Sequence, residues 1–116
     1  MTQRPHYDCP CLERCPLHYA MGQIGGKWKV QILCTLNCSG PLRYNALKRR
    51  IGGVSNTVLA DALRELEQSG LVGRTEYLEV PIRVEYAITE EGRGLIPILE
   101  QLSDWAEAKM KREEDR

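Results

Sequence analysis

Two short helices joined by a glycine turn, a β-hairpin directly behind them and an apolar helix toward each end predict an α+β fold, mostly helical, in which a helix-turn-helix carries a hairpin wing. The 116 residues suit one domain with a single core. Residues 1–15 read as an irregular, flexible arm holding Pro5, Pro10, Cys9, Cys11 and Cys15, and residues 16–116 as the winged domain with its outer helices.

The elements follow from local chemistry. Pro16 suits a first helical position, so a helix runs from there to about Met21, and Gly25-Gly26 breaks the chain. Lys27 to Leu36 reads as a second helix with Trp28, Ile32 and Leu36 on one stripe and Leu33 beside it. Cys34 inside it reads most simply as core packing, and Cys34 and Cys38, if exposed, are possible partner thiols for Cys15. Residues 37–41 are turn chemistry, and Leu42-Arg43 is a very short strand. Tyr44 to Ile51 reads as a helix with Leu47 and Ile51 inward, ended by Gly52-Gly53.

The stretch that organises the chain comes next. Ser55 stands where an N-cap belongs, Leu59, Ala62, Leu63 and Leu66 form an apolar stripe, and Gly70 is placed to close the helix. Residues 71–78 and 83–88 are β-prone, with Glu79-Val80-Pro81 as the hairpin tip. Thr89 then caps a last helix whose first turn holds Glu90 and Glu91, the sign that suits a helix N-terminus. Leu95, Leu99, Leu102, Trp105 and Ala106 recur along it, and Pro97 inside the pattern predicts either a kink or a later start.

Formal charge is zero, but the distribution is not even. Between Glu13 and Asp61 there is no acid, while Arg14, Lys27, Lys29, Arg43, Lys48, Arg49 and Arg50 all lie there. The first turn of the organising helix carries Ser55, Asn56 and Thr57, with Arg64 further along. Small uncharged hydrogen-bonding groups at a helix N-terminus let the backbone approach base edges in a major groove, whereas a helix face that met only water would more often carry Glu and Lys. An ordinary amphipathic core helix is the competing reading of this stretch alone, and its neighbours decide between them. Arg43, Lys48, Arg49 and Arg50 are placed to contact phosphates, against the alternative of a solvated charged face. Arg83, just past the wing tip, is a further candidate contact to DNA, with Glu79 beside it acting against that role. Leu99, Leu102 and Trp105 make a stripe too apolar for water and are the expected dimer interface.

No apolar run approaches a membrane span, no secretory signal is read, and the five cysteines cannot all pair within one chain, so the expectation is a cytoplasmic protein with free thiols. An enzyme is the competing class, for instance a cysteine-based thiol oxidoreductase. Against it, there is no C-x-x-C, no phosphate-binding glycine loop and no nucleophile–base–orienter set, and no cofactor is expected. A protein-interaction module that keeps the fold but not DNA binding is a third class, and the acid-free stretch argues against it.

The residues resemble the HxlR family of bacterial winged-helix transcription regulators. The matching pieces are Cys15-Pro16, Ile24-Gly25-Gly26-Lys27-Trp28, Arg43-Tyr44-x-x-Leu47 and Gly53-Val54-Ser55. They continue with Leu59-x-x-x-Leu63-x-x-Leu66-x-x-x-Gly70-Leu71-Val72-x-Arg74, Val80-Pro81-x-x-Val84-Glu85-Tyr86-x-Ile88-Thr89 and Trp105, in order. The resemblance implies a homodimer on double-stranded operator DNA, joined through its two outer helices. Its pattern accounts for Cys15 but not for Cys9 or Cys11, and some members sense oxidants or electrophiles through the matching cysteine. Cys15 also has its own physical case as a redox-sensing thiol, since a helix N-terminus and Arg14 both favour the thiolate. Zinc held by Cys9, Cys11 and Cys15 with His6 or His18 is an alternative, although Cys9-x-Cys11 is tighter than the usual ligand spacing. A small-molecule effector at the dimer joint is the alternative mode of control.

Overall fold

Leucine and isoleucine at helical spacing decide which faces turn inward, and the glycines decide where the chain turns. In a computed structural model that describes residues 15–115, the elements are α1 (Pro16–Ile24), α2 (Lys29–Ser39), β1 (Leu42–Arg43), α3 (Tyr44–Ile51), α4 (Asn56–Gln68), β2 (Val72–Tyr77), β3 (Arg83–Ile88), α5 (Glu90–Arg93) and α6 (Ile96–Glu114). Cys9, Cys11 and the rest of the expected arm before Cys15 lie outside the described residues.

The core gathers Ile32, Leu33 and Leu36 of α2, Leu47 of α3, and Leu59, Leu63 and Leu66 of α4 over Leu71, Val72 and Ile88 at the base of the hairpin. Trp28 packs against this cluster without being fully buried. The sheet is antiparallel in the order β1-β3-β2, with Leu42 opposite Tyr86 and Val72 opposite Ile88, so the two-residue strand foreseen at 42–43 fastens α3 to the wing. Lys29 of α2 reaches Glu65 of α4 at 2.7 Å, a polar tie beside the apolar one.

The turn between α3 and α4 needs glycine for a backbone reason. Gly52 and Gly53 have φ of +72° and +77°, a region that a side chain makes costly. Two consecutive residues there reverse the chain tightly and set α4 across α3.

Several boundaries differ from expectation. α1 continues past Met21 to Ile24, because nothing before Gly25 stops it. α2 starts at Lys29 and keeps its last turn through Asn37, Cys38 and Ser39, where a turn was expected; Gly40, with φ +82°, ends it. Cys34 is exposed and not core: with Ile32, Leu33 and Leu36 inward, residues 34 and 38 fall on the opposite face. Thr89 caps only the short α5, its Oγ1 accepting from the Gly92 N–H at 3.0 Å and donating to the Gly70 carbonyl at 2.7 Å. The long helix begins afresh at Ile96, with Pro97 in its first turn, where a missing N–H costs nothing. Of the two readings of Pro97, the later start is the correct one.

Candidate nucleic-acid interface

The N-terminus of α4 stands free of the core. Ser55 caps it as expected, its hydroxyl accepting from the Val58 N–H at 3.2 Å, and Ser55, Asn56 and Thr57 are all exposed. Asn56 has a partner on α3. The Tyr44 hydroxyl, from the start of α3, donates to the Asn56 carbonyl oxygen at 3.0 Å and lies 3.2 Å from Asn56 Oδ1. Burial first, and then the neighbouring Tyr86, push the Tyr44 phenol above its ordinary range, so it keeps its proton near neutrality. Arg64, one face further along α4, bonds Asp61 at 2.8 Å and is partly spoken for.

Lys48, Arg49 and Arg50 form the last turn of α3, where cations suit the helix dipole. Arg49 and Arg50 are exposed and Lys48 half-buried, and none of the three pairs with a carboxylate among the described residues. The glycine turn therefore brings three unneutralised cations next to a helix N-terminus that offers small polar groups. Arg43 is exposed on β1 but stands opposite Glu85 across the β1–β3 pairing.

The wing departs from that pattern. Arg83 is held by Glu79 (Nη2 to Oε2, 2.8 Å), by Glu85 (Nη1 to Oε2, 2.6 Å) and over the Tyr77 ring at 3.7 Å from its centroid. These hydrogen bonds, those to Glu79 foremost, drive the guanidinium further above its already high range and hold the Glu79 carboxyl below its own. The charge of Arg83 is answered within the hairpin. The tip instead exposes Leu78, Val80 and Ile82.

Outside the helix-turn-helix, Cys15 is the half-buried N-cap residue of α1 and its side chain makes no capping bond. No side chain of α1 is buried, and Leu17, Tyr19 and Met21 point outward. On α6, Leu102 and Trp105 are 60% and 61% exposed, whereas Leu99 is only 8% exposed and packs within its own chain. Among the described residues no three His, Cys, Asp or Glu side chains converge as a metal site; of the zinc alternative, His6, Cys9 and Cys11 lie outside them.

The exposed polar first turn of α4 and the cationic last turn of α3 lie where the sequence pattern puts them, whereas the Tyr44–Asn56 contact has no counterpart in that pattern. The adjacency of Tyr44 to Arg43 marked the position, but nothing local shows a hydroxyl reaching a residue twelve positions later.

Comparison with known proteins agrees with this geometry. The HxlR-like helix-turn-helix family matches residues 23–114. An HTH-type transcriptional regulator of Methanothermobacter thermautotrophicus is 50% identical over 91 residues, 78% of this chain and 69% of that one. Among solved structures, an HTH-type regulator named ytcD has a TM-score of 0.79 at 38% identity, covering 83% of this chain and 97% of its own. The redox regulator HypR in its reduced form has a TM-score of 0.78 at 37% identity, covering 87% and 99%. The chain belongs to the HxlR-like helix-turn-helix family, whose members are DNA-binding transcriptional regulators.

Proposed function

We propose that this regulator acts in the cytoplasm as a homodimer on a roughly palindromic operator, with α4 of each protomer in a major groove and the end of α3 against the phosphates. The observation that carries this reading is the α4 N-terminus, where Ser55, Asn56 and Thr57 are exposed beside three cations that no described carboxylate neutralises. Residues 16–116 would then act as one unit, with residues 1–15 as its arm. Support for the dimer comes from the outward apolar residues of α1 and α6. A Cα radius of gyration of 16.9 Å, against roughly 13 Å for a compact domain of about 100 residues, fits outer helices that project from the core. Two-fold symmetry would set the recognition helices about 34 Å apart, one turn of DNA. Control falls to Cys15, through oxidation or alkylation at the root of α1; the likeness to HypR, described as a redox regulator, supports that assignment.

The test separates base contacts from phosphate contacts. Asn56→Ala and Thr57→Ala should each lower discrimination between operator and random DNA by roughly 1–3 kcal/mol. Arg49→Ala and Arg50→Ala should weaken both alike and flatten the salt dependence by about one unit per lost contact. Four variants that bind the operator as the parent does would show that another helix reads the DNA.

A further inference from the structure

Cys34 and Cys38 stand one helical turn apart on the outer face of α2, both exposed. With Asn37 they line one wall of a groove whose other wall is α6, through Ile96, Leu99, Glu100 and Ser103. Neither thiol belongs to the core or to the helix-turn-helix. The groove holds about 230 Å³, mostly against apolar surface. An apolar cavity of about 150 Å³ is already enough to take benzene.

A disulfide does not fit this geometry. Helical residues four apart hold their Cβ atoms roughly 5–6 Å from one another, and a disulfide wants about 3.5–4.5 Å. Closing it would strain the last turn of α2, where the Gly40 N–H bonds the Leu36 carbonyl. One atom inserted between the two sulfurs adds a bond on each side and removes the mismatch. Cys34 is also poorly disposed to attack peroxides, because the thiolate is the nucleophile. Burial in the groove, then Cys38 and Glu100, push the Cys34 thiol up from its ordinary value. Two neighbouring thiols suit a different reaction, exchange at a centre whose oxygen ligands leave as water.

We propose that Cys34 and Cys38 form a two-sulfur site for a trivalent arsenical bearing one organic group, R–As(OH)₂. Two As–O and two S–H bonds break, two As–S bonds form, and two water molecules leave. Arsenic stays trivalent, so no oxidant or reductant is needed. The organic group lies along Ile96 and Leu99, which gives the site a preference for substituted arsenicals over arsenite. The site stands on α2 and α6 alone and does not depend on how the protein reads DNA.

Phenylarsine oxide, which hydrates to the required form, is the probe. In a full-length chain carrying Cys9→Ser, Cys11→Ser and Cys15→Ser, intact mass should show one arsenical per protein. The adduct should survive excess mercaptoethanol and be stripped by 2,3-dimercaptopropanol. Adding Cys34→Ser or Cys38→Ser should weaken binding about a hundredfold, the advantage of a second tethered ligand, and make the adduct labile to mercaptoethanol. A parallel measurement on the unsubstituted chain guards against misfolding of the variants: the arsenical should protect the Cys34 and Cys38 peptides from N-ethylmaleimide. Equal maleimide labelling with and without arsenical, or an adduct that Cys34→Ser leaves unchanged, overturns the proposal.

Discussion

The Tyr44 hydroxyl bridges the two helices of the helix-turn-helix, donating to the Asn56 carbonyl oxygen at 3.0 Å while standing 3.2 Å from Asn56 Oδ1. The first residue of α4 is thereby fixed by the first residue of α3. The hydroxyl's one proton can go to either oxygen. Given to the carbonyl it holds the first turn of α4, and given to Oδ1 it orders the exposed amide before DNA arrives, which lowers the entropy lost on binding. Tyr44→Phe keeps the ring and removes only the hydroxyl. It should weaken operator binding by about 0.5–1.5 kcal/mol, the net value of a typical hydrogen bond, and leave binding to random DNA unchanged. Fluorescence anisotropy with both duplexes reads the difference; equal losses on the two would mean that Tyr44 supports the fold and not the reading of bases.

Gly92 closes the seam between α5 and the hairpin base. A Cβ there would meet the Leu71 carbonyl oxygen and come within 2.8 Å of Ile88 Cγ1, one a backbone atom and the other in the core. Neither can give way easily, so Gly92→Ala should cost about 1–3 kcal/mol, as overpacked cores do. Gly22 in α1 has nothing within 4 Å of its Cβ position, and Gly22→Ala should stabilise or be neutral. Thermal melts of the two variants should therefore move apart, with only the Gly92→Ala midpoint falling.

What the sequence made legible was mostly what glycine, proline and capping residues encode locally. Ser55, Gly52-Gly53 and Pro97 each carry a backbone requirement of their own, and the elements start or stop there. Cys34 was misplaced because Ile32, Leu33 and Cys34 run together as apolar residues. Helical geometry must spread them over more than half a circle, and packing alone decides which one faces out. The fate of Arg83 was half legible. Glu79, four residues earlier, was visible as a partner, but Glu85 joins it only once the strand brings residues two apart to the same side. The Tyr44–Asn56 contact was invisible because it depends on how tightly Gly52 and Gly53 turn the chain.

The apolar residues of α6 divide into two kinds, and mutation should separate them. Leu99 is buried within one chain, so Leu99→Ala should lower folding stability by about 2–5 kcal/mol. Leu102 and Trp105 are exposed in the protomer, so Leu102→Glu with Trp105→Glu should leave the fold intact and abolish dimers. An obligate interface buries on the order of 2,000 Å² or more, and two like charges at its centre are enough to open it. Sedimentation of the double variant should show monomers. A well-behaved dimer would place the interface on another surface.

Cys15 is half-buried at the N-terminus of α1, the position to which the proposed control is assigned. It is the N-cap residue of α1, a helix with no buried side chain, whose exposed Leu17 and Met21 share one face, with Tyr19 exposed on the other side; this helix is proposed to meet the partner. A mixed disulfide, an alkyl adduct or a bond to another thiol there adds bulk or a constraint at the dimer joint. Major grooves on one face of DNA recur about every 34 Å, so a displacement of a few ångströms between the recognition helices spoils their register. A Cys15→Ser protein should bind operator as the reduced parent does and keep that affinity in diamide or a quinone, while the parent loses it. Labelling the oxidised parent by mass would identify the partner thiol. Should the Cys15→Ser protein lose affinity in oxidant as fully as the parent, Cys15 is structural, and control passes to a small molecule held at the dimer joint.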